Sequence, residues 1–184
     1  MEGNRHFQEH KFHFAHQTNA WREHIASEQK PFAVVLGCSD SRVPPEIIFD
    51  EGLGDLFVVR EAGHVADDAT LGTIEYAIGD LGVPLVMVLG HESCGAVKAT
   101  VNAVRSNIDP PGHLRKLVDH IRPAVQATND SGSDVVDLAV RANTALVVNQ
   151  LKKSGPFLDR YVEHGWVKVV GAYYDLHTGK VELI

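Results

Sequence analysis

Apolar residues gather in four short, continuous runs separated by longer mixed stretches. The runs are Phe32-Ala33-Val34-Val35-Leu36-Gly37, Leu56-Phe57-Val58-Val59, Leu85-Val86-Met87-Val88-Leu89 and Val167-Lys168-Val169-Val170-Gly171. Runs of this length, rich in β-branched residues, predict strands buried on both faces. Between them, apolar positions recur at helical spacing over Thr70 to Leu81, Gly95 to Val104, Leu114 to Gln126, Asp134 to Lys153 and, briefly, Pro156 to Glu163. Strands alternating with helices imply an α/β fold: a mainly parallel sheet of about four strands flanked by helices. Ser133 or Asp134 is placed to cap the longest helix and Gly155-Pro156 to stop it. Asn107 to Gly112 and Asn129 to Ser133 read as exposed turns. From Gly3 to about Glu28 the chain is polar with scattered aromatics (Phe7, Phe12, Phe14 and Trp21), which predicts an amphipathic helical arm over residues 1–30, of the kind that packs on a partner. There is no internal repeat, and residues 1–184 read as one domain.

Composition narrows the function. The formal charge is −7 and the pI about 5.8, without a Lys/Arg cluster, which argues against nucleic acid or an anionic membrane surface as partner. Runs such as Pro84 to Gly90 are far shorter than the roughly 18 residues of a membrane helix, and Met1 to Lys11 has no signal-peptide core. The chain reads as cytoplasmic, although a trimmed leader would erase that reading. Only two cysteines are present, so a disulfide framework is not expected.

Those two cysteines carry the candidate chemistry. Cys38 opens Cys38-Ser39-Asp40-Ser41-Arg42 after the first apolar run, and Cys94 closes His91-Glu92-Ser93-Cys94 after the third. Thiolate, imidazole and carboxylate are ligands that Zn2+ favours. Cys38, His91 and Cys94 leave a fourth position for Asp40, which would make a closed structural site, or for water, which would make a catalytic one. Both motifs follow strands, so the ligands are expected at the carboxyl ends of a parallel sheet, with Gly90 and Gly95 permitting the turn that brings His91 and Cys94 to one side. Competing readings are inert core cysteines, a Cys38–Cys94 disulfide, a thiol redox protein, and a surface ion pair or Asx turn for Asp40 and Arg42. His6, His10, His13 and His16 recur at helical spacing, but no carboxylate or Cys makes a dedicated constellation with them, and they are read as solvated. His64 is read as a loop residue bonded to backbone. Gly52-Leu53-Gly54-Asp55 precedes a strand, which disfavours a dinucleotide loop.

The segment Cys38-Ser39-Asp40-Ser41-Arg42-Val43-Pro44, with His91-x-x-Cys94-Gly95 following 53 residues after Cys38, resembles the β-class carbonic anhydrases. The resemblance extends through Gly52 to Arg60, Gly72 to Ala77 and Gly171 to Asp175. It implies the β-carbonic anhydrase fold, one Zn2+ per chain on Cys38, His91 and Cys94, and reversible hydration of carbon dioxide to bicarbonate by a lyase whose nucleophile is zinc-activated water. Asp40 and Arg42 would be the catalytic pair: Asp40 closes the site as a fourth ligand or, held by Arg42, orients the nucleophile. Two thiolates offset the metal's charge, so the active form is expected on the alkaline side of neutrality. Where many members carry Asn, this chain has His64. Of an inhibitory bicarbonate pocket found in some bacterial members, Arg60 and Tyr174 match, but the Trp position is Val35. The family also implies a homo-oligomer, a dimer or dimer-based tetramer. Alternatives on the same site are a carbonyl sulfide or carbon disulfide hydrolase and a non-catalytic protein with a closed zinc.

Overall fold

The computed structural model describes residues 1–128, 132 and 134–184. Its core is a five-stranded sheet built from β1 (Ala33–Gly37), β2 (Leu56–Arg60), β3 (Leu85–His91), β4 (Lys168–Tyr174) and β5 (Val181–Leu183), in the order β2-β1-β3-β4-β5. The first four strands pair in parallel, and β5 runs antiparallel to β4. The α/β class and the parallel sheet follow the expectation from the apolar runs. The fifth strand was not foreseen, because three residues at an edge carry no readable alternation.

The strands have apolar side chains on both faces. Val34, Leu36, Val86 and Val88 point to one side, where they meet Ile74, Ala77 and Ile78 of α4 (Asp68–Gly79), Val147 and Leu151 of α7 (Val135–Lys152) and Leu158 of α8 (Leu158–Glu163). Val35, Met87 and Leu89 point to the other, against Val97 and Val101 of α5 (Gly95–Ser106), Ile121 and Val125 of α6 (Leu114–Ala127) and the amino-terminal half of α7. Successive strand residues alternate between faces, so covering both sides with helices requires every position to be apolar. The five predicted helices therefore appear with ends shifted by a few residues. Asp134 stands at the N-cap of α7. The proposed Ser133 cap and most of the Asn129 to Ser133 turn lie outside the described residues.

Two local elements escaped the periodicity. The four-residue α3 (Pro45–Ile48), with Pro45 at its first position, follows the Cys38 motif, and a 3-10 turn spans Ala62–His64 after β2. Both are shorter than the period needed to recognise a helix.

The amino-terminal segment is two short helices, α1 (Glu2–Gln8) and α2 (Asn19–His24), joined by irregular chain. Asn4 anchors α1 to the body. Its buried amide donates to the carbonyls of Ile48 (3.2 Å) and Gly179 (2.8 Å), while its oxygen accepts the N–H of Val181 (2.8 Å). One side chain thus joins α1 to α3 and to the β4–β5 hairpin. The helix lies so close that a Cβ on Gly3 would stand 1.6 Å from the Phe49 carbonyl oxygen. Asn4→Ala would leave three buried backbone groups without partners. At about 1–3 kcal/mol for each group not reached by water, the loss is expected to be about 3 kcal/mol or more, measurable by urea unfolding.

Candidate metal centre

The sheet order decides where the chemistry-bearing residues meet. From β1 the chain moves outward to β2, then crosses back to place β3 on the other side of β1, so the carboxyl ends of β1 and β3 flank a topological switch point, where open α/β sheets hold their ligands. Gly37 of β1 pairs with Leu89 of β3. Cys38 therefore leaves β1 beside His91, the last residue of β3. Cys94 follows three residues later as the N-cap of α5. The turn between His91 and Cys94 is made differently from the sequence expectation: its left-handed position is Ser93 (φ 54°), not a glycine. Gly90 is required for another reason, since a Cβ there would come 2.3 Å from the Thr144 hydroxyl oxygen.

Cys38, His91 and Cys94 are all buried, and their ligand atoms lie within 4.8 Å of one another. The sulfurs stand 3.9 Å apart. That is far beyond the roughly 2.05 Å of a disulfide, and both cysteines are free. It is close to the ~3.8 Å edge of a tetrahedron with Zn–S bonds of about 2.3 Å. The imidazole is set for the same purpose. His91 Nδ1 lies 2.8 Å from the Glu92 carbonyl, so Nδ1 carries the proton and donates it, leaving Nε2 with a free lone pair. Nε2 is buried without a hydrogen-bond partner among the described residues. A buried lone pair facing two sulfurs is costly unless a cation takes it.

The electrostatics agree. The Cys94 thiol first, then the Gly63 and Asp40 amides, donate to the Cys38 sulfur, outweigh burial and push its thiol down to about 3. The same contact raises Cys94, because a second thiolate beside the first is resisted and burial adds to the penalty, although the Ala96 and Val97 amides at the start of α5 pull the other way. Without a cation the two sulfurs share a proton. A divalent ion removes that conflict, so the donor set fits zinc.

Asp40 and Arg42 stand at the rim. Arg42 Nε donates to Asp40 Oδ1 (2.9 Å) and its terminal nitrogen to Oδ2 (2.7 Å), a two-pronged pair, and the Arg42 amide adds a third bond to Oδ1 (3.0 Å). The guanidinium holds the Asp40 carboxyl well below the usual carboxylate range, against a smaller opposing effect of burial. Asp40 is turned to Arg42 and does not join the grouping of Cys38, His91 and Cys94. Arg60, matched in the sequence only to a bicarbonate pocket, donates here to the carbonyls of Cys38 (2.9 Å) and Asp40 (2.5 Å), clamping the loop that carries both. Sequence reasoning also missed Gly63, whose N–H donates to Cys38 Sγ at 3.3 Å. A backbone amide has no residue signature to find.

A mostly parallel α/β sheet with a buried Cys–His–Cys cluster at its switch point presents a donor set of the zinc-ligand type. The comparisons make this specific. The sequence profile described as "Carbonic anhydrase" matches residues 33–181. The chain is 45% identical over 162 residues to the carbonic anhydrase of Mycolicibacterium smegmatis, covering 88% of this chain and 79% of the relative. It is 42% identical over 182 residues to carbonic anhydrase 2 of Mycobacterium tuberculosis, covering 99% and 88%. The solved structure of the β-carbonic anhydrase CcaA superposes with a TM-score of 0.79 at 26% identity, covering 99% of this chain and 91% of that one. This chain belongs to the carbonic anhydrase family, in its β-class, and is an enzyme of the lyase type.

His64 departs from its expected role. It is fully buried, in left-handed backbone (φ 45°), and its partners are side chains. Asn143 of α7 donates one amide hydrogen to the Gly63 carbonyl and the other to His64 Nε2, both at 2.9 Å, and Thr144 Oγ1 lies 3.3 Å from the same nitrogen. Nε2 is therefore an acceptor and the proton is assigned to Nδ1, which is buried without a partner among the described residues. Burial, far more than neighbouring charges, pushes His64 down to about 4 from 6.5. The folded chain thus binds fewer protons than the unfolded chain between those values, so the contribution is complete above pH 6.5 and is lost as pH falls through 4. At about 1.4 kcal/mol per unit this amounts to about 3 kcal/mol. His64→Asn, which tolerates positive φ, is expected to flatten that part of the pH dependence in urea unfolding of metal-free protein compared at pH near 6.5 and 4.5.

Proposed function

We propose that this chain catalyses the reversible hydration of carbon dioxide to bicarbonate and a proton, using a zinc ion held by Cys38, His91 and Cys94. The observation that carries this reading is the pairing of two buried sulfurs 3.9 Å apart with an unpartnered imidazole nitrogen, beside a carboxylate fixed by arginine. When bound, zinc supplies the Lewis acidity that makes a hydroxide nucleophile available near neutral pH.

The protein's own groups then do three things. Cys38, His91 and Cys94 would hold the metal. Asp40 accepts a hydrogen bond from the nucleophile and aims its lone pair at the carbon of carbon dioxide; it works as an acceptor because Arg42 keeps it ionised and immobile. Arg42 also reaches towards the Ser93 carbonyl at 3.5 Å, so the pair spans both ligand loops. The orientation of Asp40 towards Arg42 supports an open site. A closed structural zinc would need the carboxylate to leave the guanidinium. Since two thiolates offset the metal's charge, the active form accumulates on the alkaline side of neutrality.

The same reading includes a homo-oligomer. Phe12, Phe14, Ile47, Leu53 and Leu56 line a cleft of about 700 Å³ between the amino-terminal segment and α3, with Phe14, Ile47 and Leu53 exposed. An apolar concavity of that kind on a β2 edge of half-buried residues suits a second copy of the chain. No helix among the described residues is long and apolar enough to cross a membrane.

Stopped-flow carbon dioxide hydration on protein of measured zinc content tests the reading. Wild type is expected to carry zinc and to show kcat/KM rising on the alkaline side of neutrality; a profile already flat from slightly acid pH would overturn the charge reasoning. Asp40→Ala and Arg42→Ala are expected to keep the metal and lose about 100-fold or more in kcat, within the range for positioned proton-accepting groups. Arg42→Lys should not restore it, since an ammonium lacks the fork. Chelation should abolish activity and added Zn2+ should return it. Full zinc without hydration would sink the proposal.

A further inference from the structure

The amino-terminal histidines do not stay solvated as the sequence suggested. Lys11 N–H donates to the His6 carbonyl at 2.9 Å, folding the chain after α1 back on itself, and the rings of His6 and His13 come to 4.0 Å between centroids. Asp50, from the turn after α3, completes the group. Its carboxylate accepts the His13 backbone N–H through both oxygens (3.2 and 2.9 Å), and one oxygen, Oδ2, lies 3.2 Å from His6 Nδ1 and 3.9 Å from His13 Nδ1. The absence of a carboxylate, on which the solvated reading rested, is corrected by a residue 44 positions from His6 in sequence.

We propose that His6, His13 and Asp50 form a second metal site, for a divalent transition ion of the zinc type, which fastens the amino-terminal segment to the body of the protein. Four observations support it. One ligand atom from each residue lies within 4.8 Å of the other two. The distances from the shared oxygen bracket the ~3.4 Å edge of a tetrahedron with metal–nitrogen and metal–oxygen bonds of about 2.0–2.1 Å. The Asp50 side chain is only 3% exposed, and its ion-pair partners among the described residues are both histidines, neither of them a fixed cation. A buried carboxylate without permanent counter-charge is what a divalent ion would neutralise. Finally, Glu2 Oε1 lies 3.9 Å from His6 Nε2, so an outer carboxylate stands beside the nitrogen that keeps the proton when Nδ1 binds the metal.

The donor chemistry selects the ion. Two imidazoles and one carboxylate favour Zn2+, Ni2+ or Cu2+ over Mg2+ or Ca2+, which prefer all-oxygen shells. His13 is 65% exposed, so the ion has a route in, and water completes its coordination. The ion competes with protons for the imidazole nitrogens and the carboxylate, so affinity falls as pH is lowered. Loading this site does not involve Cys38, His91 or Cys94, and the inference stands whether or not those residues hold zinc.

The test uses untagged, zinc-loaded protein dialysed at neutral pH against buffered free Zn2+, followed by elemental analysis and thermal unfolding with and without the ion. Wild type is expected to hold one more zinc per chain than His13→Ala, and the Zn2+-dependent rise in Tm should vanish in that variant. Because His13 is exposed, its loss should not prevent folding. His10→Ala removes a neighbouring histidine outside the cluster and should bind as wild type does. Affinity at the second site should fall by more than the ~10–100-fold typical of outer-shell losses when a ligand itself is removed. Equal zinc in wild type and His13→Ala would show that the three residues are only a hydrogen-bonded latch. An equal loss in His10→Ala would show unspecific surface binding. Either result overturns the proposal.

Discussion

Two buried sulfur atoms 3.9 Å apart create a charge conflict that the polypeptide alone leaves unresolved. A thiolate at Cys38 is favoured by every donor around it, and the same thiolate opposes ionisation of Cys94. Water cannot relieve this, because both side chains are sealed from solvent. A divalent cation can, and His91 presents it a third ligand with its tautomer already set by the Glu92 carbonyl. The surrounding architecture reads as the means of keeping these groups together before any ion arrives. Ordering them on binding would cost roughly 1–2 kcal/mol per residue.

The loop after β1 shows how that order is maintained. Arg60 grips two of its carbonyls, the Arg42 fork fixes Asp40, and the Gly63 amide points at Cys38. Gly63 is itself held by Asn143 from α7, which also satisfies His64. The support for one ligand therefore reaches across β2, the 3-10 turn and the longest helix. It carries a cost in the buried Nδ1 of His64, which has no partner among the described residues. Natural proteins keep such an unsatisfied group where the surrounding geometry over-determines it.

A similar economy governs the amino-terminal segment. Two short helices cannot be stable alone, yet Asn4 and Asp50 each receive bonds from residues far away in sequence and bring the segment onto α3 and the β4–β5 hairpin. The close packing of Gly3 on Phe49 belongs to the same contact. Residues that look like a loosely attached arm in sequence are, at their start, part of the body.

Local sequence reports what each residue needs from its immediate surroundings. The runs at Val34 to Leu36 and Val86 to Leu89 could only be strands covered on both faces, and the helical periods between them required a parallel sheet. The chemical types of Cys38, His91 and Cys94, each near a strand end, pointed to a metal site as one reading, and the fold brings those three side chains together. What local pattern does not encode is juxtaposition. The sheet order placed β3 beside β1, and that choice set the sulfur spacing, the switch point and the free Nε2. The three residues of β5 and the four of α3 are too short to show a period. Backbone donors such as the Gly63 amide are identical in every residue. Asp50 meets His6 and His13 because chain packing, a sum of many weak contacts over the whole fold, brings a distant turn to them, and no window along the sequence contains that sum.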